Sequence, residues 1–222
     1  MLTRFRNRRE AGRHLATALR LPPGALVQVL ALPRGGVPVA FEVALALDAP
    51  LDVFIVRKLG VPGHEELAMG AIAQGGVRVL NPDVIDGLGI PQSVIDRVAT
   101  AEAAELARRE RMYRGSASTP DLRGRTVLLV DDGLATGATM AAAVAGVRAR
   151  APARVIVAVP VASNEAMVML GQVADECVSV LTPRFFGGVG QWYDDFSQTG
   201  DDEVRSLLEA AKRRGATVGR GT

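Results

Sequence analysis

The sequence contains one cysteine, few aromatic residues and no apolar run that approaches the length of a membrane helix. The lone Cys177 excludes an internal disulfide and fits a reducing compartment, so we expect a cytoplasmic protein. The arginine-rich N-terminus lacks the apolar segment of a secretory signal. These absences argue against a disulfide scaffold and against a membrane protein, and no membrane partner is expected.

Lysine is also scarce, because Lys58 and Lys212 are the only two lysines and arginine supplies the other Lys/Arg positions. A lysine in such a chain suggests a position that requires a compact ammonium group. The formal net charge of +2 does not indicate a nucleic-acid partner. Arginines crowd residues 3–20, an expected amphipathic helix, where we interpret them as a solvated face, with an anionic partner as the alternative.

What the chain does have is apolar material for one sizeable core, since 48% of its 222 residues are hydrophobic. The apolar runs that predict strands cover residues 26–32, 52–56, 127–130, 154–161 and 175–181. Helical segments lie between most of these runs. The alternation predicts an α/β fold with a doubly wound, mostly parallel sheet, which we interpret as a single domain over residues 1–222.

Two further segments receive structural rather than chemical roles. Residues 67–81 surround a Gly-Gly pair and predict a hairpin. Residues 91–114 predict a long charged helix, and the i,i+4 spacing of Glu110 and Arg114 suits an ion pair on a solvated face.

Residues 127–139, VLLVDDGLATGAT, carry the most specific pattern of the chain. A four-residue apolar strand ends in Asp131 and Asp132, and a turn rich in glycine and threonine then leads into a helix. This order places unpaired backbone N–H groups and the positive end of a helix dipole at one point, which suits a phosphate. Ribose hydroxyls could donate to the paired carboxylates while the 5′-phosphate lies in the turn.

Other interpretations of this stretch are weaker. The Walker B pattern also ends an apolar strand in acids, but the chain contains no GxxxxGK[ST] loop. A response-regulator receiver carries its acidic pair near its start, and a Thr-Gly-x-Thr loop has no role there. An ordinary strand end with chance acids remains the structural alternative.

The stretch resembles the phosphoribosyl-pyrophosphate (PRPP) signature of the type I phosphoribosyltransferases, and its Ala-Thr-Gly run resembles the adenine-type sequence. The resemblance implies a type I phosphoribosyltransferase fold with a flexible loop and flap over residues 57–81 and a C-terminal hood over residues 182–198. It implies that Asp131 and Asp132 act in catalysis, hold the ribose hydroxyls and bind Mg²⁺. The residues that would bind the 5′-phosphate are Ala135, Thr136, Gly137, Ala138 and Thr139.

An earlier strand–turn–helix repeats this design, with Arg34, Gly35 and Gly36 in its turn. Two adjacent glycines let the backbone approach a ligand closely, and the Arg34 guanidinium offers several donors to phosphate. In the type I transferases the loop after the first strand holds pyrophosphate, so the resemblance implies that role for all three residues.

Arg57 and Lys58 come at the end of the predicted second strand, before a loop that would close over the reacting centre. Cations there would stabilise the leaving diphosphate, and a closed loop would exclude water. Lys58 is therefore a candidate catalytic and substrate-binding residue, and Arg57 a substrate-binding one. Glu65 or Glu66 could handle the proton of the attacking nitrogen, with Glu65 preferred; the alternative is that both are solvated loop charges.

The predicted hood holds most of the aromatic residues, and the resemblance implies that Phe186 and Trp192 stack on a base. A small satellite core is the structural alternative. The expected function is transfer of the phosphoribosyl group from Mg²⁺–PRPP to a small nitrogenous acceptor, a purine-like base, with pyrophosphate released and a homodimer formed. A PRPP- or nucleotide-sensing regulator without turnover is the alternative function.

Overall fold

A parallel sheet of five strands forms the centre of this computed structural model, which describes residues 4–115 and 118–218. Numbered in chain order, the strands of this sheet are β1 (Val27–Ala31), β2 (Leu51–Val53), β6 (Thr126–Val130), β7 (Arg154–Val161) and β8 (Glu176–Leu181). Their spatial order is β2-β1-β6-β7-β8, and every neighbouring pair is parallel. The prediction of a mostly parallel sheet is therefore confirmed.

Helices cover both faces of this sheet. The α-helices are α1 (Arg8–Ala18), α2 (Gly36–Leu47), α3 (Pro82–Leu88), α4 (Gln92–Arg114), α5 (Ala138–Arg148), α6 (Asn164–Leu170) and α7 (Asp201–Val218). One core joins α1, α2 and α7 to the sheet, and a second core joins α5 and α6 to its other face. Covering on both faces explains why the central strand β6 is buried at all five positions and reads as a continuous apolar run.

A smaller antiparallel sheet forms the flap, with strands β3 (Val56–Val61), β4 (His64–Ala73) and β5 (Arg78–Leu80) in that order. Strands β4 and β5 pair on either side of a Gly-Gly turn, so the predicted hairpin is confirmed. Leu59 and Met69 of the flap pack against Ile95 of α4 in a third core. Helix α4 is thus the support of the flap.

The predicted second strand over residues 52–56 is wrong at its end. Strand β2 stops at Val53, and Val56 already belongs to β3 in the other sheet. The segment expected to be a loop is instead a β3–β4 hairpin, in which Val61 pairs with His64. The reason is that Leu59 and Val61 alternate into the flap core, so burial of one strand face fixes an extended conformation.

The interpretation of Arg114 as a solvated helix charge is also wrong. Arg114 is 7% exposed, and its Nε atom lies 2.9 Å from both carboxylate oxygens of Asp52 on β2. The same guanidinium donates to the Val53 carbonyl at 2.7 Å and to Gln74 at 3.3 Å. Arg114 therefore joins the end of α4 to the edge of the central sheet and to the flap.

The N-terminal segment enters the fold before its helix begins. Phe5 and Tyr193 form a parallel bridge, and the Asp194 and Asp195 N–H groups donate to the carbonyls of Phe5 and Arg6. Asn7 then caps α1 by accepting a hydrogen bond from the Glu10 N–H. In the described part of the chain, no helix combines the length and apolar character needed to cross a membrane.

Candidate functional site

The loops after β1 and β6 adjoin at one edge of the central sheet. The two strands are parallel neighbours whose last residues, Ala31 and Val130, lie opposite each other. A methyl group on Gly36 would stand 2.7 Å from the Val130 carbonyl oxygen, and one on Gly35 would overlap Asp132 Oδ2. The Arg34-Gly35-Gly36 turn therefore lies directly against the acidic pair, and this proximity requires glycine at Gly36, where the neighbouring atoms belong to the backbone of β6 and Asp131.

Asp131 and Asp132 are half-buried where β6 ends. Asp131 Oδ1 accepts a hydrogen bond from the Asp132 N–H at 2.8 Å. Burial raises the pKa of Asp131 well above its usual range, and the charge of Asp132 raises it further. Burial also raises the pKa of Asp132, against the effect of a hydrogen bond from Arg8. Hydroxyl donors or a cation would relieve the electrostatic cost of holding two such carboxylates together.

The Ala135–Thr139 loop leads into the N-terminus of α5. Gly137 precedes the helix with a φ of 76°, a left-handed conformation that favours glycine, and no side chain caps the helix there. Thr136 and Thr139, which lie on either side of the start of this helix, are both exposed. This arrangement offers a phosphate both hydroxyl donors and the positive end of a helix dipole.

Ser163, the residue that caps α6, supports the same loop from behind. Its hydroxyl donates to the Ala135 carbonyl at 2.6 Å and accepts from the Ala166 N–H at 3.0 Å. Its own N–H donates to the Leu134 carbonyl at 2.9 Å. Ser163 is 4% exposed, so it acts as an internal brace between two loops rather than as a ligand contact.

Arg8 is a site residue that the sequence-based reasoning missed. Its Nε donates to Asp132 Oδ2 at 2.8 Å, and its Nη1 donates to the Ser197 carbonyl at 2.6 Å. Its guanidinium carbon lies 4.0 Å from the centre of the Phe196 ring. The solvated-face interpretation is wrong for this arginine, whose side chain is only 11% exposed. A cation in the first turn of a helix is unfavourable in the helix dipole, but Arg9 lies in the same turn, so the sequence held no signal that singles out Arg8.

The hood segment lies beside the acidic pair through Tyr193. The Tyr193 hydroxyl donates to the Asp132 carbonyl at 2.6 Å, and burial followed by the charge of Asp132 raises its pKa. Val189 of a 3₁₀ turn (Val189–Trp192) packs so closely on Gly133 that a methyl group there would lie 2.5 Å from its Cγ1. No sequence signal separated Tyr193 from the other aromatic residues of this segment.

Phe186 and Trp192 have a different environment from the one expected. Both pack, partly buried, against a small cluster that contains Phe5 and Tyr193. The Trp192 indole N–H is buried and has no hydrogen-bond partner among the described residues. Their packing matches the satellite core that was the structural alternative, whereas Phe185 is 86% exposed.

The flap does not bring its candidate residues to the acidic pair. Lys58 Nζ donates to the Glu66 carbonyl at 2.6 Å, and Arg57 Nε donates to Glu102 of α4 at 2.7 Å. Glu65 accepts from the Gly63 N–H at 3.1 Å, and hydrogen bonds to backbone N–H groups lower its pKa. None of the hydrogen bonds or ion pairs within residues 4–115 and 118–218 joins these side chains to Asp131 or Asp132.

These flap residues line a separate open cleft of about 560 Å³ between the hairpin and α4. Arg34, by contrast, is half-buried in the turn next to the acidic pair. Burial raises the pKa of the Tyr113 hydroxyl, and the charge of Arg34 opposes that rise by a smaller amount. Within the described ranges, no three His, Cys, Asp or Glu side chains cluster as a metal site. Any cation here would need ligands from a substrate as well as from the two aspartates.

The family model described as the phosphoribosyl transferase domain matches residues 2–196. Proteins from two strains of Mycobacterium tuberculosis, CDC 1551 / Oshkosh and ATCC 25618 / H37Rv, are each 48% identical over 215 residues and are each named "putative phosphoribosyl transferase". The match covers 97% of this chain and 48% of each relative, so the chain spans about half the length of the curated relatives it matches.

The crystal structure of TT1426 from Thermus thermophilus is 46% identical. It superimposes with a TM-score of 0.80 over 92% of this chain and 97% of that one. The family model spans most of the chain, and the sheet carries the signature turn at its carboxyl edge. The chain therefore belongs to the phosphoribosyl transferase domain family, and its fold is the expected mostly parallel α/β fold.

Proposed function

We propose that this protein transfers the 5-phosphoribosyl group from Mg²⁺–PRPP to a nitrogen of a small planar acceptor and releases pyrophosphate. The observation that carries the proposal is the contact of the Gly35-Gly36 turn with Asp131 and Asp132. A single small molecule with phosphates at both ends and a diol between them can meet both turns and the acidic pair at once. PRPP has that chemistry, and membership of the family supports it.

Each part of the site has a task in this reaction. Asp131 and Asp132 accept hydrogen bonds from the ribose hydroxyls, and residues 135–139 hold the 5′-phosphate at the N-terminus of α5. The backbone of Gly35 and Gly36 and the guanidinium of Arg34 hold the diphosphate. When the bond from the anomeric carbon to the diphosphate breaks, negative charge grows on the leaving group, and donors fixed beside it lower the barrier.

Mg²⁺ fits the available donors. Mg²⁺ keeps several waters and is bound by one or two carboxylates together with substrate phosphates, so it does not require a cage of three protein ligands. Asp131 and the Asp132 oxygen not paired with Arg8 are the residues that would hold it. The ion would neutralise charge on the diphosphate, and each aspartate would supply a carboxylate oxygen at the ribose side.

A flap that moves would complete the site. Lys58 lies on a hairpin supported by α4, and its partner among the described residues is Glu66 of the same hairpin. Its ammonium would therefore be available to a diphosphate if the hairpin closes. Lys58 and Arg57 would then add positive charge, and Glu65 would receive or orient the acceptor proton. For the acceptor, a purine-like base is proposed because Val189 and Tyr193 place the hood beside the acidic pair.

The test is pyrophosphate release by the full chain with PRPP, Mg²⁺ and a panel of purines, pyrimidines and amines. We expect turnover with at least one planar nitrogen base. The double variant Asp131→Asn with Asp132→Asn should lose PRPP binding measured by calorimetry. Asp83→Asn with Asp86→Asn removes two exposed charges from α3 and serves as the matched control. Unchanged PRPP binding in the Asp131/Asp132 variant would refute the ribose assignment, and tight PRPP binding without turnover would favour a sensor.

A further inference from the structure

Arg8 is held between Asp132 and the hood segment. Its Nε donates to Asp132 Oδ2 at 2.8 Å, its Nη1 donates to the Ser197 carbonyl at 2.6 Å, and its guanidinium stacks 4.0 Å from the centre of the Phe196 ring. The side chains of Arg8 and Asp132 are 11% and 15% exposed. Holding a long arginine side chain in one conformation costs rotamer entropy. The contacts with Asp132 and the hood must offset that cost.

The location of Arg8 in its helix is unfavourable by itself. It is the first residue of α1, where the helix dipole is positive and acidic residues are preferred. Arg9 occupies the next position of the same turn, but its side chain is half exposed, and its contacts are with Glu42 at 3.4 Å and the Phe41 ring at 5.5 Å, both on α2. The two arginines thus share one dipole environment, and only Arg8 is committed to the acidic pair.

Asp132 is held from two sides. Arg8 fixes its carboxylate, and the Tyr193 hydroxyl fixes its backbone carbonyl at 2.6 Å. Both partners belong to segments that pair with each other, because Phe5 bridges Tyr193 and the Asp195 N–H donates to Arg6. The N-terminal segment and the hood therefore hold Asp132, which follows the end of the central strand β6, from two sides.

We propose that Arg8 is a positioning residue for substrate binding: it occupies one carboxylate oxygen of Asp132 and thereby turns the other toward the ribose hydroxyls of PRPP. This inference rests on the proposed function. A carboxylate accepts several hydrogen bonds, so Arg8 and a hydroxyl can share Asp132 without competing for one oxygen. Because Arg8 also donates to the Ser197 carbonyl, its guanidinium connects the hood to the proposed ribose site.

The experiment measures PRPP affinity of the full chain by calorimetry for Arg8→Met, Arg8→Lys and Arg9→Met. Arg8→Met should weaken binding about tenfold or more, which corresponds to loss of about 1.4 kcal/mol. The PRPP affinity of Arg8→Lys should lie between those of Arg8→Met and the wild type, because one ammonium group cannot reproduce the guanidinium that bonds both Asp132 and Ser197. Arg9→Met also removes a cation from the first turn of α1 but leaves the contact with Asp132 intact. The PRPP affinity of this variant should therefore match that of the wild type.

A double-mutant cycle separates positioning from a general structural effect. If Arg8 acts through Asp132, Arg8→Met should cause little further loss of affinity in an Asp132→Asn background. Full additivity, or a lower melting temperature of Arg8→Met with unchanged affinity, would overturn the positioning role. If Arg8→Met does not fold by circular dichroism, Arg8→Lys against Arg9→Lys decides the same question. A wild-type chain that fails to bind PRPP would overturn the proposed function itself, and this inference with it.

Discussion

Gly36 lies against Asp131 so closely that a methyl group on the glycine would stand 2.9 Å from the Asp131 Cα atom. It would also stand 2.7 Å from the Val130 carbonyl oxygen, and neither backbone atom can move without shifting the central strand. The contact joins the first turn of α2 to the end of β6.

Gly36→Ala should therefore separate the two loops. We expect the free energy of unfolding to fall by about 1–3 kcal/mol because of overpacking. We expect the free energy of PRPP binding to fall by more than that. Denaturant unfolding and calorimetry measure the two effects. Gly87→Ala is the control, since a methyl group there meets nothing within 4 Å. Wild-type PRPP affinity in Gly36→Ala would show that the close contact has no part in binding.

Ser163→Ala should weaken PRPP binding without a direct ligand contact. The hydroxyl braces the Ala135 carbonyl of the proposed 5′-phosphate loop and caps α6. We expect a loss of about 1 kcal/mol of stability, typical of a lost N-cap, and a several-fold higher KM for PRPP with little change in kcat. Ser163→Thr retains a hydroxyl and should restore much of both. An unchanged KM in Ser163→Ala would restrict the residue to a capping role.

Arg114→Met should destabilise the fold without touching the proposed ligand site. It leaves Asp52 half-buried without its cation and removes the donors to Val53 and Gln74. Breaking a buried pair from one side costs about 3–5 kcal/mol. Arg108→Met lies on the same helix at an exposed ion pair and should cost less than about 1 kcal/mol. Equal unfolding midpoints for the two variants would contradict this account of Arg114.

The two tyrosines predict an alkaline transition. Burial, reinforced by a hydrogen bond to Asp201, raises the pKa of Tyr113 to about 12, and burial also raises the pKa of Tyr193. The folded state keeps both protonated above the usual pKa of 10.0, so stability falls as the pH rises beyond that value. Ultraviolet titration should show no tyrosinate near pH 10.0 in the native protein, and both tyrosines should ionise there in denaturant. Tyrosinate formation near that pH with unchanged circular dichroism would contradict this expectation.

Local patterns in the sequence were sufficient for the central sheet and for the place of the acidic pair. Apolar runs of strand length, each followed by a glycine turn and a helix, determine parallel strands whose loops meet at one edge. That rule alone places Gly35 and Gly36 near Asp131. The same reasoning failed at Val56, because periodicity does not distinguish a strand that continues one sheet from a strand that starts another.

Charged side chains show the limit of sequence reasoning most clearly. Arg8 and Asp132 are separated by 124 positions, and Arg114 and Asp52 by 62. An arginine on a polar helix face has the same local pattern whether it ends in water or on a buried carboxylate. Only the packing of distant segments determines which carboxylate it meets, and the electrostatic cost of burying that carboxylate then determines how firmly it is held.

The sequence by itself determined the α/β sheet, the edge at which its functional loops meet and the family to which the chain belongs, because these depend on short-range periodicity and on glycine turns. The tertiary structure alone decided that the N-terminal helix and the hood clamp Asp132, and that the flap residues Lys58 and Glu65 lie apart from it. These contacts depend on side chains brought together by long-range packing, which no local pattern encodes.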